Sequence, residues 1–218
     1  MYELRLYHDH FSAGAKTAKH LRAQHGIAYV ASGAAALDEQ PLEKDTAEYW
    51  ADSTSVASGA EGAWIWRWEL VPATDPENLA HGEGIESHIR MARRIRMFQL
   101  VPTSKWLFRL DSIIENRGST GLHSHPGSGI RCMIDGQIRI ESDKGESSEN
   151  SRPGDAWYEE GSYPLVSTSD PGNYATFLRG MVLPPEYARY PDTAVWIEGH
   201  KGCTSDWKSY VQRVVTLI

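Results

Sequence analysis

Apolar residues in this chain come in short runs, many alternating with polar ones, separated by Gly, Pro, Asp and Ser. Segments such as Tyr2–Tyr7, Ile27–Ala31, Ala63–Leu70, Trp106–Glu115, Ile130–Ile134, Gln137–Glu141 and Tyr174–Leu183 are rich in β-branched and aromatic residues, which favours strands. Short strands with frequent turns predict an all-β chain, a sandwich or barrel with little helix. The strongest helical pattern is Glu86–Met97, with apolar Ile89, Met91, Ala92 and Ile95, and it fits a lead-in to a strand equally well. Its arginines, Arg90, Arg93, Arg94 and Arg96, read as a solvated face. Trp64, Trp66 and Trp68 alternate with Ile65 and Arg67, which puts three indoles on one strand face, a pattern of sheet or interface packing.

The pattern then repeats. Lys19–Gly33 (KHLRAQHGIAYVASG) lies over Leu122–Gly136 (LHSHPGSGIRCMIDG) without a gap, placing His20 on His123, Arg22 on His125, Gly26 on Gly129 and Ile27 on Ile130. Downstream, Glu48–Pro72 resembles Ala156–Pro184, with a few extra loop residues in the second copy. Two homologous β modules follow, residues 1–85 and 86–218, joined where Pro, Asp, Asn and Gly cluster around Ala73–Glu86.

Composition narrows the functional classes. The 218 residues suffice for one large or two small cores. A formal charge of −7 argues against a nucleic-acid or anionic-membrane partner. Cys132 and Cys203 form no disulfide framework, and reduced thiols are expected. The opening MYELRLYHDHF has no apolar signal-peptide core, and no stretch reaches membrane-span length. These features predict a soluble cytoplasmic protein without membrane or nucleic-acid partners. No Gly-x-Ser-x-Gly elbow, P-loop or dinucleotide fingerprint is present.

The chemistry concentrates in Gly118–Gly136, GSTGLHSHPGSGIRCMIDG. Side chains two apart on a strand share a face, so His123 and His125 can present two imidazoles to one metal ion. Asp135-Gly136 is a strong hairpin signal that would fold the next strand back over them. In the other copy Arg22 replaces the second histidine, and a guanidinium cannot ligate a metal. His20 and His25 lie five apart across a turn, which is not a strand-face spacing. His8 and His10 form a second His-x-His with no turn or second motif behind it and read as surface or core residues. His81, His88 and His200 read as surface residues, and Cys132 as an inert buried thiol.

The second half resembles the cupin superfamily, small antiparallel jelly-roll barrels (double-stranded β-helices). The first cupin motif is matched by His123, His125 and Gly136, with a glycine slightly early at Gly118 or Gly121, while Gly129 stands where the family places a glutamate. The second motif is matched by Pro153-Gly154-Asp155 and the run Trp157–Gly161, with Pro164 where a histidine is expected. HSHPGSG with DAWYEEGSYPLVS is similar to a subgroup written HxHPGP…G[ED]S[WF]YEPPG…HxVS. The resemblance implies two tandem cupin barrels, the second carrying the site and the first serving the core and a homodimer surface.

It also implies a divalent ion (Fe, Mn, Ni or Zn) on His123 and His125, with a carboxylate from Glu159 or Glu160 as third ligand. Arg131, two beyond Gly129, shares that position's face on an extended strand and would pair a substrate carboxylate; a local bulge would turn it outward, and both readings stand. Tyr158, Tyr163 and Arg179 are further pocket candidates, with Tyr158 or Glu159 moving a proton. Two functions follow. One is a metal-dependent bicupin enzyme acting on an oxygenated organic acid, a dioxygenase first and a lyase, isomerase or hydrolase next. The other is a non-catalytic bicupin that binds a small ligand or only assembles, its metal lost.

Overall fold

Strand pairing divides the chain after Ile95. The computed structural model describes residues 1–95, 104–115, 118–145, 147–169, 174–197, 199 and 205–217. Arg96, Met97, His200 and Cys203, singled out above, lie outside them.

The first unit contains β1 (Tyr2–Phe11), β2 (Leu21–Leu37), β3 (Gln40–Glu43), β4 (Ala47–Thr54), β5 (Val56–Pro72) and β6 (Ile85–Ile95), in the sheet order β3-β2-β5-β1-β6 with β4 also on β2. The second contains β7 (Ser104–Glu115), β8 (Gly118–Ser119), β9 (His123–Ser124), β10 (Ser128–Gly136), β11 (Ile138–Ser142), β12 (Ser147–Asn150), β13 (Ala156–Glu159), β14 (Leu165–Ser169), β15 (Ala175–Leu183), β16 (Val195–Trp196) and β17 (Ser205–Leu217). A short 3-10 turn spans Pro185–Arg189. Its strands form one sheet ordered β13-β10-β15-β7-β17 and another ordered β12-β11-β14-β9-β16, with β8 on β14. All pairs are antiparallel, as the alternating sequence predicts.

Of the two readings open for Glu86–Met97, the described part takes the strand: Ile85–Ile95 completes the sheet beyond β1, with Tyr2 opposite Ile95 and Phe11 opposite Ile85. Its apolar spacing satisfies either period, and an open sheet edge decides the matter. Arg90, Arg93 and Arg94 are exposed as expected. Because β6 pairs with β1, the boundary falls ten residues beyond the predicted 85/86, after Ile95. Asp135-Gly136, finally, does not close a β10–β11 hairpin. β10 pairs with β13 and β15, while β11 pairs with β12 and β14, so the chain passes from one sheet to the other there. Gly136 has φ +84°, and a Cβ on it would strike the Tyr174 carbonyl.

The two units share a ladder register. Gly26 faces Glu69 on β5 and Gly129 faces Met181 on β15, so both halves of the sequence alignment meet in one register. Each unit also clamps the segment that follows its fifth-strand equivalent. Arg5 donates to the carbonyls of Pro76 (2.6 Å) and Asp75 (2.7 Å), and Arg109 to those of Tyr190 (2.7 Å) and Pro191 (2.9 Å). The interiors differ. In the first unit Trp50 belongs to the apolar core and its ring lies where a Gly26 Cβ would stand. Buried Arg67 pairs with buried Asp9 and Glu69, while His20 and Arg22 are exposed. Trp64 and Trp66 pack against His10 and His8, at 4.6 and 5.3 Å between ring centroids.

Candidate functional site

β10 supplies the centre of the second unit. Gly129, at the position of the missing glutamate, pairs across the ladder with Glu159 on β13. The carboxylate therefore arrives from the neighbouring strand. Arg131 shares the face of Gly129, is fully buried and lines the cavity beside Glu159, which places it inward. One of its terminal nitrogens donates to the Gly129 carbonyl (2.8 Å) and the other lies 2.6 Å from Glu159 Oε2. A Cβ on Gly129 would stand 2.7 Å from that guanidinium and 2.6 Å from the Gly180 carbonyl oxygen, so the family glutamate has no room there. Trp157, on the same face of β13, donates its indole N–H to Glu159 Oε1 at 2.8 Å. Burial works to raise the Glu159 carboxyl; Arg131, then His125 and Trp157, outweigh it and hold it well below the usual carboxylate range.

His123 and His125 come together as predicted, both buried, with ring centroids 5.0 Å apart. His123 Nδ1 donates to the Gly121 carbonyl (2.9 Å) and His125 Nδ1 to that of Thr193 (3.2 Å), since a carbonyl can only accept. Each ring is thereby oriented from behind by a backbone carbonyl. Burial, with His125 beside it, lowers His123 to about 4. His125 Nε2 lies 3.3 Å from Glu159 Oε2, the buried oxygen that Arg131 also approaches.

These groups line a cavity of about 250 Å³, together with Glu115, Thr120, Ser167 and Arg179. Arg179 is bidentate on Asp111 (2.8 and 2.9 Å) and reaches Thr193 Oγ1 at 3.3 Å. The opposite chemistry comes from Ile113, Ile140, Leu165, Phe177 and Trp196, which also line it. The inward residues of β14 are Leu165 and Ser167, so that strand gives no histidine.

Three candidates fall outside. Tyr158 alternates with Trp157 and Glu159 on β13, faces the other way and does not line the cavity, which removes it as a proton carrier. Glu160 lies 3.9 Å from Lys144, and Tyr163 sits under the Lys144 ammonium, 3.0 Å from its ring centroid. Glu115 was not a sequence candidate. It ends the apolar run of β7, accepts a hydrogen bond from Ser167 Oγ (2.7 Å), and is raised to about 7, chiefly by burial and further by Glu159. Its one sequence signal is a charge at the end of a strand-like apolar run. Thr193 gave none.

Whether these residues suit a divalent ion is decided by the donor chemistry. An imidazole nitrogen and a carboxylate oxygen face each other at 3.3 Å, and that arrangement calls for a cation between them, a proton or a metal. The donors are of the right type, two imidazoles and a carboxylate, with both rings oriented from behind by carbonyls. They fit. In their present positions, among the described residues, no three His, Cys, Asp or Glu side chains close around a point, and Arg131 also holds Glu159.

The all-β antiparallel architecture is the cupin, or jelly-roll, fold. Solved structures of oxalate decarboxylase share it. A tryptophan-to-phenylalanine variant from Bacillus subtilis aligns with a TM-score of 0.55 at 13% identity, over 82% of this chain and 68% of its own. Another from Bacillus subtilis, concerned with its Mn(II) centres, gives 0.56 at 13% identity over the same shares, 82% and 68%. The Lactobacillus farciminis enzyme in its formate complex gives 0.53 at 11% identity, over 83% and 77%. No protein-family model and no curated protein matches the chain. Among the described residues no helix is long and apolar enough to cross a membrane.

Proposed function

We propose that the second unit is the working half of a metal-dependent bicupin enzyme acting on an oxygenated organic acid. His123, His125 and Glu159 would hold Fe, Mn, Ni or Zn. The observation that carries this is the pair of carbonyl-oriented imidazoles with Nε2 of His125 facing the buried Glu159 carboxylate. The Mn(II) centres and the formate complex of the structural neighbours support it by analogy of fold. When bound, the ion supplies a Lewis acid and, for a redox-active metal, a partner for O₂ in a dioxygenase reaction. Arg131 orients the substrate carboxylate, and Glu115, protonated up to about pH 7, holds a proton at the cavity wall. The apolar wall excludes water from the reacting end.

A second reading has its own observation. Arg131 already neutralises Glu159, which suits a ligand-binding cupin that has lost its ion. Metal analysis separates the two. The protein reconstituted with each of the four ions is expected to retain about one equivalent of one of them, and His123→Ala/His125→Ala to retain none. A wild type that stays metal-free through all four reconstitutions overturns the enzyme reading. A cytoplasmic homodimer completes the proposal, resting on sheet edges that need covering. The mass of a single chain by light scattering refutes the dimer.

A further inference from the structure

The cavity of the second unit is too apolar, and too short of free cations, for a small diacid. We propose that it takes a monocarboxylic acid carrying a ring or branched hydrocarbon group. This rests on the reading of that cavity as the site for an organic acid.

The carboxylate end is set by Arg131. It is fully buried and lines the cavity; its two terminal nitrogens face the Gly129 carbonyl and Glu159, while its Nε makes no hydrogen bond. That Nε is left for an acceptor brought by the ligand. The second guanidinium at the wall, Arg179, is already bidentate on Asp111 and bound to Thr193. One carboxylate thus finds a guanidinium with a vacant N–H and a second finds none. Glu159 and, above pH 7, Glu115 would repel a second anionic group.

The remaining wall asks for hydrocarbon. Ile113, Ile140, Leu165 and Phe177 belong to one buried apolar cluster and line the cavity. Trp196 adds an indole, 5.1 Å from the His123 ring. The volume, about 250 Å³, equals about eight waters at ~30 Å³ each. That is room for an organic molecule on the order of ten non-hydrogen atoms, below the drug-sized range. A two-carbon diacid would leave much of this wall wet, whereas a phenyl or branched alkyl group covers it.

Calorimetric titration of the whole chain, metal-stripped and metal-loaded, with phenylpyruvate, 2-oxoisovalerate and oxalate tests this. Phenylpyruvate is expected to bind at least about tenfold more tightly than oxalate, with 2-oxoisovalerate between them. Ile140→Phe, which fills the wall, should weaken phenylpyruvate at least about tenfold and leave oxalate within about twofold. If that variant does not fold, the ranking on the wild type decides alone. Oxalate binding as tightly as phenylpyruvate, or no binding of any of the three to either form, overturns the proposal. The expected ranking in a protein that takes up no metal sustains the ligand class and sinks the metal-dependent enzyme, so the two failures are distinct.

Discussion

Replacing Arg131 by methionine is expected to lower stability by about 3–5 kcal/mol in a urea titration. Arg131 and Glu159 are both buried, and the guanidinium is the largest influence keeping the carboxyl ionised against its desolvation. Methionine fills much of the same volume and removes the charge, which strands Glu159 beside Trp157 and the two histidines. Arg131→Met/Glu159→Gln should recover most of the loss, because a neutral amide is far cheaper to bury than an unpaired carboxylate. The comparison of single and double variants isolates the ion pair from simple packing loss. A single variant as stable as the wild type would show that Glu159 is not an ionised buried group.

The second large effect depends on pH. Glu115 keeps its proton up to about 7 in the folded chain, against 4.5 for an ordinary glutamate. Between those values the folded state binds more protons than the unfolded one, so stability falls by about 1.4 kcal/mol per pH unit. The contribution is complete below about 4.5 and lost above about 7, on the order of 3 kcal/mol in all. His123 runs the other way: lowered from 6.5 to about 4, it contributes above 6.5 and loses that contribution as pH falls toward 4. The two slopes oppose each other between roughly 4.5 and 6.5. Glu115→Gln removes one of them. Its stability relative to the wild type should be greater at pH 8 than at pH 5, by up to about 3 kcal/mol. An equal difference at both pH values would mean that Glu115 is ionised in the folded protein.

Much of this architecture was legible in the sequence. Period-two runs located the long strands, and the ungapped overlay of Lys19–Gly33 on Leu122–Gly136 anticipated the ladder register of both units. The shared face of Gly129 and Arg131 followed from strand geometry; His123 and His125 meet as well, although β9 ends at Ser124 and His125 lies just past it. What escaped was set by pairings between distant segments. A local turn preference at Asp135-Gly136 cannot report that β11 finds its partners in β12 and β14. Glu159 and Glu160 are chemically alike, and only the pairing of Gly129 with Glu159 decides which one enters the cavity. Thr193 reaches His125, and Glu115 meets Ser167, across long stretches of chain, with no motif to announce them. The glutamate that looked lost at Gly129 is present across the ladder, an exchange invisible to any reading along a single strand.

The paired arginine clamps bear on how the cavity responds to its surroundings. Arg109 holds the backbone carbonyls of Tyr190 and Pro191, immediately before Asp192, Ala194 and Trp196 of the cavity wall. Neither a guanidinium nor a peptide carbonyl changes charge in the range where Glu115 and His123 do. The roof is therefore seated on contacts blind to acidity, above a floor that is not. A shift in proton concentration can recharge the interior without unroofing it, so acidity should tune what the chamber holds rather than whether it is closed.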